Sequence, residues 1–284
     1  MGVLVSPVIW AYVGINLILT LSLYLNFYCG QFSLGVAAFM GLGAYLSAVL
    51  TVTYGLNLNL ALVISAAVTC GVGVLLAFPA LRLKGFYLAI ATIGLVEIFR
   101  VMFKNIPFIG GTAGFSGMVG TSLPLLYAWV ILTLVLVWKL EHSRLGWAMR
   151  AIHQDETVVE MMGLNTTYLK VVSFGIGAAV AALGGGLYAH YMFYIDPDAF
   201  GFHRSLIILL FLVFGGQTMW GILVGVPVLT ILPEAVPQLG GMRMVFYGAI
   251  LVLIMNLRPQ GMVPEDLVRR VHRRYFPVHG TRAR

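Results

Sequence analysis

The side chains able to do chemistry are few in this chain, and each has a structural reading beside the chemical one. Glu97 and Arg100 sit three residues apart in an apolar run, which on a helix puts them on one face. Inside a membrane such a pair would form a gate or line a solute cavity. The weightier reading is a structural ion pair near one interface, with Arg100 and Lys104 stretching toward water. His190 and His203 flank a stretch holding Asp196 and Asp198, but no H-x-x-x-H spacing occurs, so no metal site is expected. No Ser, His and Asp stand in a nucleophile-elbow context. Cys29 and Cys70 lie in apolar runs without CxxC spacing and read as small buried hydrophobes. No residue is therefore nominated as catalytic, and enzyme activity is not expected. The dipeptide Gly-Lys never occurs, so the chain has no P-loop to cradle ATP phosphates. Work done by this protein must draw on a partner or on an ion gradient.

The elements that position these groups follow from composition. Of 284 residues, 60% are hydrophobic and 10% charged, against about 25% charged in soluble proteins. The first charged side chain is Arg82. A soluble domain must cover its surface with polar groups and cannot be built from such a stretch. The chain reads as a polytopic membrane protein, which excludes disorder, nucleic-acid binding and a disulfide-stapled secreted scaffold. The net charge of +7 comes from clustered basic residues and says little about an anionic ligand. The N-terminus lacks a basic n-region and a small-residue cleavage site, so it reads as a first span and not as a removed signal peptide.

A spanning helix needs about 20 apolar residues. The candidates are Leu4–Phe27, Leu34–Thr53, Leu60–Phe78, Phe86–Phe103, Val119–Trp138, Lys170–His190, Ser205–Glu234 and Arg243–Leu257. Period-2 alternation is absent, so the expected class is an all-α bundle and not a barrel. Arg82 and Lys84, then Lys139, Arg144, Arg150 and Lys170, then seven arginines from Arg258 to Arg284 can all lie on the cytoplasmic side. Asn105–Met118 and Tyr191–His203 carry no Lys or Arg and belong opposite. This map puts the tail on the correct side only if Ser205–Glu234 is a hairpin. Phe214-Gly215-Gly216-Gln217 is the natural break in it. Gly30-Gln31 with Gly35 echoes Gly216-Gln217 with Gly221, a weak sign of a pseudo-repeat. Glu234, between Pro233 and Pro237, is expected near the outer mouth as a structural cap. Most of the 33 glycines read as sites of close helix packing.

The single long polar insertion between spans runs from Glu141 to Lys170. Asp155 is placed as an N-cap, Glu156 favours the positive helix end, and Gly163 is placed just past the C-cap. Val158, Val159, Met161 and Met162 supply an apolar side, with Glu160 facing elsewhere. The spacing predicts a short amphipathic helix outside the bilayer core. It could rest on lipid or mate with a partner groove. Its acidic residues tilt the balance toward a protein partner, since anionic headgroups repel them.

Here the sequence resembles a known family. Ser143-Arg144-Leu145-Gly146, Arg150-Ala151-Ile152, Asp155-Glu156 and Glu160-Met161-Met162-Gly163-Leu164-Asn165 look like the cytoplasmic loop of branched-chain amino acid ABC permeases, the LivM-type subunit most of all. Gly30 to Gly35, Lys84 to Thr92, Gly110 to Gly117, Gly184 to His190, Gly215-Gly216 with Trp220-Gly221, and Arg258-Pro259-Gln260-Gly261 match in the family's order. The resemblance covers roughly Asn16 to Met262. This chain has Val158 and Val159 where the family usually has small residues. It also lacks the Ile-x-Leu-Pro element of the general importer loop, which is normal for this branch.

The resemblance implies a transmembrane permease subunit of an ATP-driven importer. It would pair with a second homologous permease, be driven by two cytoplasmic ATPase subunits, and receive solute from an extracytoplasmic binding protein. The chain itself would bind no cofactor, ATP being hydrolysed by the partners. Arg150, Asp155, Glu156, Val159, Glu160, Met161, Met162 and Gly163 would form the ATPase-coupling element. The expected organisation is a permease domain over residues 1–262, with the coupling loop at 141–170, and a basic cytoplasmic tail over 263–284, in a bacterial inner membrane. An amino acid in transit needs partners for its carboxylate and ammonium groups. Gln31, Ser33, Asn105, Thr112, Ser116 and Gln217 are candidates, although each can also satisfy backbone at a helix break. Urea, amides or another small polar solute remain alternative cargoes. An ion-coupled secondary transporter or channel is the alternative of another class.

Overall fold

The computed structural model describes residues 6–83, 85–118, 120–235 and 248. Ten helices are assigned among them: α1 (Pro7–Tyr28), α2 (Val36–Val52), α3 (Leu58–Ala80), α4 (Phe86–Asn105), α5 (Leu123–Glu141), α6 (Arg144–Gln154), α7 (Glu156–Met161), α8 (Thr166–Met192), α9 (Phe202–Gly215) and α10 (Met219–Ala235). Helices α1, α3, α4, α5 and α8 are long and apolar enough to cross a membrane. Helix α2 has 17 residues, about 25 Å. That falls short of the roughly 30 Å hydrocarbon core. The segment expected at Arg243–Leu257, Lys84 and the 263–284 tail lie outside the described residues.

Helix α8 is the hub of this helical membrane protein, with α1, α2 and α3 packed around it. Its glycines divide among them. Gly177 and Gly184 face α1, Gly185 faces the backbone of Met40 on α2, and Gly175 and Gly186 face Val74 and Leu62 on α3. A Cβ on Gly185 would fall on the Met40 carbonyl, and one on Gly43 on the backbone of Ala182. Lipid gives helices no hydrophobic reason to associate, so close backbone approach and interhelical hydrogen bonds do the work. Ser22 Oγ donates to the Gly177 carbonyl at 2.7 Å, and Ser173 Oγ to the Leu25 carbonyl at 2.8 Å.

These pairings set helix directions. Tyr12 Oη meets Met192 Sδ while Leu25 meets Ser173, so α1 runs antiparallel to α8. Leu62 meets Gly186 and Val74 meets Gly175, so α3 does the same. The α6–α7 pair, Arg82 and the C-terminal end of α1 therefore share one end of the bundle. The start of α1, left open by a charge-free first stretch, lies at the other. That opposite end also holds a two-stranded sheet, β1 (Phe115–Ser116) paired antiparallel with β2 (Tyr194–Ile195).

The segment expected at Ser205–Glu234 is two helices, broken at Gly216 with φ +89°. Gly30 breaks the chain after α1 in the same way, with φ +73°. Both Gly-Gln steps are thus helix breaks, but Gln31 is buried and Gln217 is exposed. Helix α9 starts at Phe202, three residues before the expected Ser205, which brings Arg204 inside it.

Candidate functional site

Two helices fill the polar insertion where one was expected. Ser143 Oγ accepts the Gly146 N–H at 3.1 Å and starts α6, a helix the sequence reading left unassigned. Asp155 Oδ1 accepts the Thr157 and Val158 N–H groups at 2.9 and 3.2 Å and starts α7. Each such cap contributes about 1 kcal/mol. Helix α7 ends as the spacing predicts. Gly163 takes φ +81°, its N–H donates to the Glu160 carbonyl at 2.9 Å, and the Leu164 N–H donates to the Val159 carbonyl at 3.4 Å. That bonding pattern closes a helix when a residue without Cβ follows the cap.

Below, the pair is seated on the bundle. Val159 is 2% exposed and packs with Cys29, Met149, Ile152 and Leu169. Burial pushes the Cys29 thiol up to about 11, in keeping with a small hydrophobe. Lys170 Nζ meets Glu156 Oε1 at 2.6 Å, and Thr166 Oγ1 donates to Glu160 Oε1 at 2.9 Å. Both ties fasten α7 to the first two turns of α8. Above, Met161 and Met162 are 80% and 74% exposed, with Val158 beside them. Val159 was expected among the outward contacts; it instead anchors α7. The four-residue apolar side divides because a six-residue helix cannot show one face to two surfaces. Arg150 on α6 is half-buried.

The six solute candidates do not converge. Gln31 and Ser33 are buried in the break between α1 and α2. Asn105 ends α4, where its Nδ2 donates to the Val101 carbonyl at 2.8 Å, while Thr112 lies in the connection after α4 and Ser116 in β1, at the sheet end of the bundle. Gln217 lies at the tip of the α9–α10 hairpin.

Glu97 and Arg100 pair at 2.8 Å, and the pair belongs to a larger cluster. Arg100 Nη2 and Lys104 Nζ reach Asp198 Oδ1 at 2.5 and 2.7 Å, and Glu97 Oε1 accepts the Phe202 N–H at 3.3 Å. These side chains are a third to a half exposed. Hydrogen bonds from Lys104 and Arg100 hold the Asp198 carboxyl below the usual carboxylate range. The cluster pins the loop before α9 onto α4, which favours the structural reading over a gate. His190 is buried between Thr51 Oγ1 and the Gly186 carbonyl, at 3.0 and 2.8 Å. Among the described residues no His, Cys, Asp or Glu group is arranged to hold a metal ion.

Sequence reading missed one polar junction. Arg204 Nη2 donates to Asn16 Oδ1 at 3.0 Å, Asn16 Nδ2 donates to Thr230 Oγ1 at 3.2 Å, and the guanidinium lies over the Tyr188 ring at 5.8 Å. The available signal was an arginine three residues into an apolar helix, which demands partners from other helices.

Comparison with known proteins gives the family. The family model described as branched-chain amino acid transport system / permease component matches residues 8–255. The high-affinity branched-chain amino acid transport system permease protein LivM of Salmonella typhimurium is 30% identical over 88% of this chain, and that of Escherichia coli 29% over the same share. The chain spans 66% of the length of each, just under two thirds. A probable LivM of Methanocaldococcus jannaschii is 26% identical over 73% of this chain and 68% of its own length. The permease protein LivH of Salmonella typhimurium is 30% identical over 34% of this chain and 32% of its own length. No solved structure matches.

Proposed function

Because the chain belongs to the family of branched-chain amino acid transport permease components, we propose that it is the permease subunit of an ATP-driven importer for branched-chain amino acids, worked from the α6–α7 end by separate ATPase subunits. One observation carries the reading. Met161, Met162 and Val158 stand out from a helix whose opposite side is locked down by Val159, Glu156 and Glu160. Flexible, polarizable methionines suit a partner's cleft, and a firmly seated helix can pass on a push as a rigid body. In this reading α7 with its flanks is the coupling element, and Arg150, Asp155 and Gly163 shape it and hold it in place.

The rest of the assembly follows as part of the proposal. A second homologous permease completes the pathway, two ATPases bind beneath, and an extracytoplasmic binding protein delivers solute at the β1–β2 end. The membrane is a bacterial inner membrane, with the α6–α7 end cytoplasmic because Arg82, Lys139, Arg144, Arg150 and Lys170 gather there. The permease domain covers residues 1–262 in about eight membrane segments, with a basic cytoplasmic tail over 263–284. No cofactor is bound by this chain. Urea, an amide or another small polar solute is the alternative cargo. An ion-coupled transporter is disfavoured because the charged cluster at Glu97, Arg100, Lys104 and Asp198 is a surface loop tie.

Replacing Gly163 by Val tests the coupling role. A β-branched residue cannot hold φ +81° without strain. The assembled transporter is expected to keep hydrolysing ATP while leucine uptake falls. Normal leucine uptake in that variant would sink the coupling role, and ATPase-free transport in liposomes would favour the ion-coupled alternative.

A further inference from the structure

We propose that Gln31 is a positioning residue that carries movement of the α6–α7 pair into the break between α1 and α2, and from there to α4 and the α9–α10 hairpin; the inference rests on the coupling reading above. The stretch from Cys29 to Gly35 is not helical, yet Cys29, Gln31, Ser33 and Leu34 are all buried. Irregular buried backbone persists only where its polar groups find partners. Those partners lie on both sides.

Toward the coupling end, Gln31 Nε2 donates to the Lys170 carbonyl at 2.8 Å. The same lysine holds Glu156 of α7. Cys29 packs in the cluster that contains Met149 and Ile152 of α6, Val159 of α7 and Leu169 of α8. Gly30 lies against the His153 backbone of α6, where an added Cβ would come within 3.2 Å. Toward the bundle, the Leu34 N–H donates to Thr92 Oγ1 on α4 at 2.9 Å. The Ala37 N–H donates to Ser205 Oγ on α9 at 3.2 Å. These are N–H groups at and before the start of α2, where no carbonyl of the same helix can accept them. The nine residues from Cys29 to Ala37 thus meet α6, α7 and α8 on one side and α4 and α9 on the other. Gln31 provides the side-chain hydrogen bond at the lower end, and it also bonds the Cys29 side chain.

Native Cys29 reports on the segment, because a buried thiol held above its ordinary range reacts only when its surroundings open. In membranes holding the assembled transporter, alkylation of Cys29 by N-ethylmaleimide is followed by mass spectrometry, with Cys70 as internal reference. The comparison is between nucleotide-free and ATP–vanadate-trapped states. The Cys29-to-Cys70 rate ratio is expected to change about fivefold or more on trapping, the scale of one buried hydrogen bond. In Gln31→Met, which keeps length and loses the donor, the change is expected to vanish while ATP hydrolysis continues. Gln31→Asn, too short to reach Lys170, is the milder variant and should behave the same if Gln31→Met does not assemble. A ratio that responds as in the unaltered protein in these variants, or one that never responds, overturns the proposal. A cysteine at position 161 separates the two readings. If it cross-links to an ATPase while Cys29 stays silent, the relay alone fails; if it cross-links to none, the coupling reading fails and takes the relay with it.

Discussion

Arg204 and Asn16 are 188 positions apart in sequence and joined at 3.0 Å. Asn16 lies near the middle of α1, and the Nδ2 of the same amide donates to Thr230 Oγ1 late in α10. The first turn of α9 and the far part of α10 therefore meet the same residue. That geometry makes the two helices a hairpin folded back on α1, and it accommodates an arginine among apolar helices. Asn16→Val is expected to destabilise the purified protein by about 1–3 kcal/mol, the cost of unpairing buried polar groups. Chemical denaturation in detergent measures it, and an unchanged midpoint would show that the junction holds nothing together.

Two glycines of the same kind should behave in opposite ways. A Cβ on Gly185 would meet the Met40 backbone, and backbone cannot move aside as a side chain can. Gly185→Ala is expected to lose about 1–3 kcal/mol by overpacking. A Cβ on Gly94, in α4, meets nothing within 4 Å. Gly94→Ala should gain about 0.5–1 kcal/mol through lower chain entropy. Melting curves of the two variants side by side decide this.

The loop before α9 should resist acid. Hydrogen bonds from Lys104 and Arg100 depress the folded pKa of Asp198 below its unfolded value. Whatever stability the group provides is therefore fully present above the ordinary aspartate pKa of about 3.9 and fades as pH falls through the lower, folded value. The stability difference between the unaltered protein and Asp198→Asn should stay flat from about pH 8 to pH 5 and shrink only below about pH 4. A difference that disappears by pH 6 would mean the carboxylate is not held as described.

Thr112 and Glu160 lie at opposite ends of the bundle and both are exposed. Single cysteines at these positions should react with a membrane-impermeant maleimide from opposite sides of sealed vesicles. Labelling of both from one side would overturn the helix directions deduced from α1, α3 and α8.

Several features were legible because they depend on local chemistry alone. Asp155 and Gly163 bound α7 since a carboxylate suits exposed N–H groups and a residue without Cβ suits a left-handed turn. The break near Gly216 was readable because the tail reaches the basic side only if this apolar run turns back. Helix α6 was missed because its start signal, Ser143, is short and stands beside the span before it. Val159 and Met161 are indistinguishable as sequence, two apolar residues two apart. Only the neighbours Cys29, Met149 and Leu169 turn one inward and leave the other in the open.

From the sequence alone came the membrane class, the helical state, the breaks at Gly-Gln steps and the capped helix of the polar insertion. Composition and short-range hydrogen bonding decide all of these, and both act over a few residues. The tertiary structure alone decided that α8 is the hub, that α1 begins at the β1–β2 end, that Arg204 is held by Asn16, and that Gln31 meets Lys170. Those pairings join residues more than a hundred positions apart. In lipid, helices have no hydrophobic drive to choose partners, so the choice rests on which small and polar surfaces fit, a property of assembled shapes that no local pattern encodes.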